Sequence, residues 1–153
     1  MWIPPENVDP VVLHAPTRKS VGVFGAVCVG TGRLVTREEK TFNAETFLSF
    51  LKQLSRHRRK GRLMILIVDN ARWHHAKLLA PWLIEHRSSL QLDFLPPYSP
   101  ELNPAERVWK LTRRLRTHNR YFPVLEELVD ALSQQFALWS KPNATLRKLC
   151  AVT

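Results

Sequence analysis

The chain has 153 residues, enough for one domain around a single core. With 44% hydrophobic and 24% charged residues it has the composition of a globular protein, which excludes general disorder, and Cys28 and Cys150 are too few and too far apart for a disulfide framework or a zinc knuckle. Lys+Arg 23 against Asp+Glu 13 gives a net charge of +10, an excess that calls for a polyanion: each base meeting a phosphate releases a condensed counterion, so nucleic acid comes first and a ribosomal or membrane surface second.

Residues 1–20 are punctuated by proline and read as irregular, and "MWIPPENVDP" lacks the basic start and apolar stretch of a secretory signal. "VGVFGAVCVG" (21–30) is β-branched and glycine-spaced, a strand with both faces partly buried, and after the turn "GTGR" the stretch "LVTREEKTF" can return as an antiparallel partner. From Asn43, Phe47, Leu51 and Leu54 mark an amphipathic helix with a basic last turn, closed by Gly61. "RLMILIVDN" reads as a fully buried strand of a parallel sheet, and its apolar run is too short to cross a bilayer, so no membrane partner is expected. Reduced cysteines suit a cytoplasmic protein.

"HHAKLLAPWLIEH" reads as a helix disturbed in its middle by Pro81, and "LQLDFLP" as a second parallel strand. A helix from Pro104 to about His118 follows, and then an amphipathic helix over 123–139 with Leu125, Leu128, Val129, Leu132, Phe136 and Trp139 on one stripe. The order predicts a mixed α/β sheet flanked by helices, with the folded part over 21–140 and a tail over 141–153.

Asp69 closes a buried strand, and ligands collect at the carboxyl ends of parallel strands. Asp69 and Asn70 would equally suit the cap of the next helix. Glu106 is the third helical residue if Asn103 is the N-cap and Pro104 the first, the place that closes a capping box. The two acids are more informative together. If the two strands are parallel neighbours, the loop "LPPYSPELNPAE" returns Glu106 to the sheet end that carries Asp69. Two carboxylates with waters and phosphate oxygens suffice for Mg2+, and two such ions roughly 4 Å apart can activate a water or a 3′-hydroxyl against a phosphodiester. Prolines in the approach fix a ligand that loses its value when loose. Lys110 and Arg113 lie four and seven residues past Glu106, on one helix face, where they would hold a DNA backbone; Arg107 and Arg114 point elsewhere, Arg114 as a further cation for DNA. In the expected helix Val108, Leu111 and Leu115 form the buried face. A solvated basic face is the other reading.

"LMILIVDNARWHHA" followed by "LQLDFLPPYSPELNPAERVWKLTRRL" resembles the catalytic domain of DDE transposases of bacterial insertion sequences, in the branch related to mariner elements. The strand-end Asp-Asn with a following His, the proline-rich loop, and a Trp three residues past the Glu carry that resemblance, and 36 residues lie between Asp69 and Glu106. It implies an RNase H-like, retroviral-integrase-like fold, with Asp69 and Glu106 as the second and third acids of a triad that binds Mg2+ or Mn2+. It further implies cleavage and strand transfer of double-stranded DNA at transposon ends, in a bacterial, nucleoid-associated setting. His74 matches the family's histidine, with Asn70, His74 and Asn103 as substrate contacts or structural groups.

The family's first Asp ends a strand upstream of a segment like "WIPP", and its N-terminal helix-turn-helix region has no counterpart here; Glu6 and Asp9 are the acids before residue 21. The resemblance thus predicts a C-terminal piece without its first central strand, inactive alone, whose apolar edge at "LMILIV" calls for a homodimer or a complementing upstream transposase segment. Another RNase H-like nuclease and a non-enzymatic basic DNA-binding protein are the rival functions.

Overall fold

The computed structural model describes residues 12–14 and 19–151. Most of the N-terminal stretch read as irregular, Glu6 and Asp9 included, lies outside them. Within it a short strand β1 (Val12–His14) pairs antiparallel with β2 (Lys19–Val27), which pairs antiparallel with β3 (Leu34–Glu39). The helix α1 (Ala44–Ser55) follows, closed at its start by a full capping box between Asn43 and Thr46. It stops at Ser55, so the basic residues read as its last turn lie beyond it, ahead of Gly61 at φ 76°.

Next come β4 (Met64–Val68), two 3₁₀ turns, α2 (Ala80–Glu85), and β5 (Leu90–Phe94), parallel to β4 with Met64 opposite Leu90 and Val68 opposite Phe94. Pro81 sits in the first turn of α2, where its missing N–H has no partner to lose; it starts a helix where the sequence suggested a disturbed one. The last third holds α3 (Pro104–Thr112), a π-helical turn over Arg113–Thr117, α4 (Leu125–Trp139) and α5 (Ala144–Leu149). The stretch expected as a tail therefore contributes a helix, and Leu146 and Cys150 from it are fully buried.

Two cores lie on opposite faces of β2. Phe24 and Ala26 meet Phe47, Phe50, Leu51 and Leu54 of α1 together with Leu66, Val68 and Leu90. Val23, one residue out of phase, joins Val108, Trp109, Leu128, Leu132, Phe136 and Leu146 on the other side. The period-2 alternation of a strand thus places β2 between two helical layers, as expected. β4 differs from expectation: Leu66 and Val68 are buried, but Ile65 and Ile67 are 59% and 41% exposed. The reason is that α3 packs on β2, and α4 on β2 and β3, so no described element covers that face of β4. Among the described residues β1, β2 and β3 form one sheet and β4 and β5 another.

Candidate active site

Asp69 follows the last residue of β4, and its carboxylate is held from two sides. Oδ1 accepts the Ala71 N–H at 2.9 Å, and Nδ1 of His74 stands 3.0 Å from Oδ1 and 2.9 Å from the Asp69 carbonyl oxygen. Both atoms facing Nδ1 are acceptors, so Nδ1 is the donor. The His74 ring is buried against Phe47, with centroids 4.5 Å apart, and its Nε2 has no hydrogen-bond partner among the described residues. His74 is thus a buried strut that orients Asp69, and Oδ2 is left without a partner among the described residues. The bond to Ala71 tightens the turn after the strand; no side chain caps the 3₁₀ turn itself.

The loop to Glu106 leaves from beside Asp69. The Leu95 N–H donates to the Val68 carbonyl at 2.8 Å, and Asn70 Nδ2 donates to the Leu95 carbonyl at 2.8 Å. Asn70 Oδ1 also meets Nε2 of His75 at 3.1 Å, and the His75 ring stacks on Phe94 at 4.2 Å. Asn70 therefore staples the two strand ends together. Tyr98, at φ 56° and wholly exposed, sits at the loop's tip, a left-handed conformation that costs a bulky residue energy. Nothing in the sequence marked its backbone strain.

One turn of 3₁₀ helix, Pro100–Leu102, then delivers the chain to Asn103, which is buried and caps α3 by accepting the Ala105 N–H at 3.1 Å. Asn103 and Pro104 take the expected cap and first positions, but the box is not closed. Glu106 makes no return bond to Asn103, and its carboxylate has no hydrogen-bond or ion-pair partner among the described residues. Partial burial is the main cause that raises its pKa above the usual carboxylate range; the Lys110 charge opposes the shift and the Glu101 charge adds to it. Asp69 is thus held by the turn that follows its strand, whereas the Glu106 carboxylate makes no bond of its own, and the charges acting on it are those of Lys110 and Glu101.

A carboxylate whose folded pKa is raised favours the fold while protonated and loses that contribution as pH rises through the folded value. Glu106→Gln is accordingly expected to raise the melting temperature of the metal-free protein at pH 7 and to leave it unchanged below the ordinary carboxylate range. A thermal melt at the two pH values checks this, and equal melting temperatures at pH 7 would contradict it.

The buried face of α3 is Ala105, Val108, Trp109 and Thr112, whereas Leu115, expected there, is 43% exposed. The wide turn after Thr112, closed by the His118 N–H on the Arg113 carbonyl at 2.7 Å, shifts the helical phase and carries Leu115 outward. Lys110 and Arg114 are exposed, but Arg113 is half-buried, with burial lowering its pKa, so it does not extend the stripe of Lys110. Arg107 turns away, as expected, to donate to the Leu149 carbonyl at 3.1 Å.

The chain matches the family profile of the DDE superfamily endonucleases over residues 2–129. It is 34% identical over 120 residues to the uncharacterized protein y4pE/y4sA of Sinorhizobium fredii (strain NBRC 101917 / NGR234), a match covering 78% of this chain and 82% of that protein. It is 32% identical over 95 residues to the insertion element IS630 uncharacterized 39 kDa protein of Shigella sonnei, covering 62% of this chain and 27% of that protein. The match thus spans about a quarter of the length of the insertion-element relative. The fold is similar to the catalytic domain of Mos1 mariner transposase, with TM-score 0.69 and 18% identity over 92% of this chain and 71% of that one. It is also similar to the Mos1 catalytic domain determined with Raltegravir and Mn, with TM-score 0.66 and 18% identity over 92% and 75% of the two chains. With both acids at the ends and starts of the expected elements, the chain belongs to the DDE superfamily endonucleases and has the RNase H-like fold of a transposase catalytic domain.

Proposed function

We propose that this chain serves DNA transposition, and that Asp69 and Glu106 are two carboxylates of a divalent-metal site that cuts and rejoins DNA strands. The observation that carries this reading is the pair of acids with unpartnered oxygens, one oriented by a buried histidine and the other partly buried with no bond of its own, in a chain of this family. Their hard oxygen donors fit Mg2+ or Mn2+ and not a soft metal. Bound there, such an ion would polarise a phosphodiester and lower the pKa of an attacking water or hydroxyl. His74 fixes the direction of Asp69, and Asn70 and Asn103 anchor the two ends of the loop that brings Glu106. Lys110, exposed and close enough to act on Glu106, would hold the phosphate backbone, with Arg114 beyond it and Arg113 as a lesser contributor.

Among the described residues no group of three acids, histidines or cysteines forms. In this reading a complementing transposase segment would supply a third carboxylate, and the DNA would be transposon ends and target. Asp69→Asn and Glu106→Gln are each expected to lower Mn2+ affinity at least about 10-fold and, in a mixture with the upstream segment, to abolish metal-dependent nicking while duplex binding persists. Nicking retained by both variants would overturn the metal assignment. Parent protein that binds duplex yet never nicks it, with the segment or without, would favour the non-enzymatic DNA-binding role.

A further inference from the structure

The densest positive charge lies at the end of β4 opposite Asp69. Between α1 and β4 the chain makes two turns in which five of the seven residues 56–62 are Lys or Arg. Arg33 joins them from the turn between β2 and β3, where its Nε donates to the Ser140 carbonyl at 3.0 Å. That turn is seated by Gly32, at φ 76°, where any Cβ would overlap the Asn143 carbonyl. Arg58 is fixed in the same way, by donating to the Arg62 carbonyl at 2.7 Å. Both bonds orient a guanidinium without cancelling its charge, and none of Arg33, Arg56, Arg58, Arg59, Lys60 and Arg62 pairs with a carboxylate among the described residues.

The field there is felt by His57, held below its usual pKa range by burial and then by the charges of Arg33 and Arg56. β4 runs from this end to Asp69, so roughly 20 Å separates the cluster from that acid at about 3.3 Å per residue. A helix C-terminus attracts cations, but the effect fades within one turn. It does not account for Arg33, or for Arg59, Lys60 and Arg62, which lie beyond the last turn of α1.

We propose that this cluster is a second docking surface for duplex DNA, gripping the phosphate backbone of a segment other than the one at Asp69 and Glu106. The choice of DNA among polyanions rests on the function proposed above, since a strand-joining reaction must hold two duplexes at once. Rigidly presented guanidinium groups suit phosphate oxygens, which Arg can meet with two parallel hydrogen bonds. At opposite ends of β4, roughly 20 Å apart at about 3.3 Å per residue, the two surfaces need not compete for the same phosphates.

The test is a salt titration of fluorescent duplex binding by the whole chain in metal-free buffer. In Arg59→Gln/Lys60→Gln/Arg62→Gln the slope of log affinity against log salt is expected to flatten by about 2 to 3, near 0.9 for each phosphate no longer neutralised. Lys110→Gln/Arg114→Gln should flatten it by a separate amount, and the two reductions should add. Arg59→Lys/Arg62→Lys should keep the parent slope, which separates missing charge from a damaged fold. A triple variant with the parent slope would overturn the proposal, as would parent protein that binds anionic vesicles and is not displaced by duplex. Either failure leaves the metal-dependent nicking result standing, so the two readings can fail independently.

Discussion

Trp109→Ala is expected to lower folding stability by about 3–5 kcal/mol, the usual range for emptying a buried indole. For a chain of this size that is a fall in melting temperature of roughly 6–20 °C. Trp109 is 2% exposed and lies in the core shared with Leu128 and Phe136, its ring edge-on to Phe136 at 6.0 Å. Its seat is Gly25 on β2, where an added Cβ would overlap the outer carbons of the indole. Gly25→Ala should therefore cost about 1–3 kcal/mol from the opposite direction, by overfilling, and Trp109→Phe in that background should recover part of the loss. Both changes act on the site, because Trp109 is what presses α3, and Glu106 with it, onto the sheet. Thermal denaturation of the four proteins decides the matter. A Gly25→Ala chain that melts with the parent would show that α3 is not seated there.

His74→Ala is expected to weaken Mn2+ binding about 10–100-fold, as losses of groups that orient a metal ligand do. The cause is local: with the ring gone, Asp69 keeps the Ala71 N–H but loses the donor 3.0 Å from Oδ1. The ring also packs on Phe47, so the variant weakens the core as well. Phe47→Leu separates the two effects, since it disturbs the packing and spares the hydrogen bond. Titration of Mn2+ well below both melting temperatures should show a large loss for His74→Ala and little for Phe47→Leu. Equal losses would make His74 a packing residue only.

Much of this architecture is written locally and could be read from the residues alone. Asn43 and Asn103 announce the helices they cap, and the turn residues around the two apolar strands, "LMILIV" and "LQLDF", give their parallel order. What could not be read depends on which element lies over which. An unbroken apolar run says nothing about its two faces, and only the placement of α3 and α4 on β2 and β3 explains why Ile65 and Ile67 are exposed. The phase slip at Arg113–Thr117 has no sequence signal, so a buried Leu115 followed from regular helical spacing that the chain does not keep, and the half-burial of Arg113 depends on what packs over it. The helix α5 escaped notice because six residues are too few to establish a period. Its Asn143 cap, an acceptor of the Leu146 N–H at 2.8 Å, was the one available cue.

The two layers flanking β2 divide the candidate ligands between them. Asp69 extends from the strand whose Val68 and Leu66 pack with α1, whereas Glu106 rides on the helix whose Val108 and Trp109 belong to the opposite layer. A cation gripped by both would act as a clasp across the waist of the molecule, so that its release loosens one half against the other. The spacing of the acids is then a property of the whole domain, open to adjustment by anything that tilts the halves, a bound duplex included.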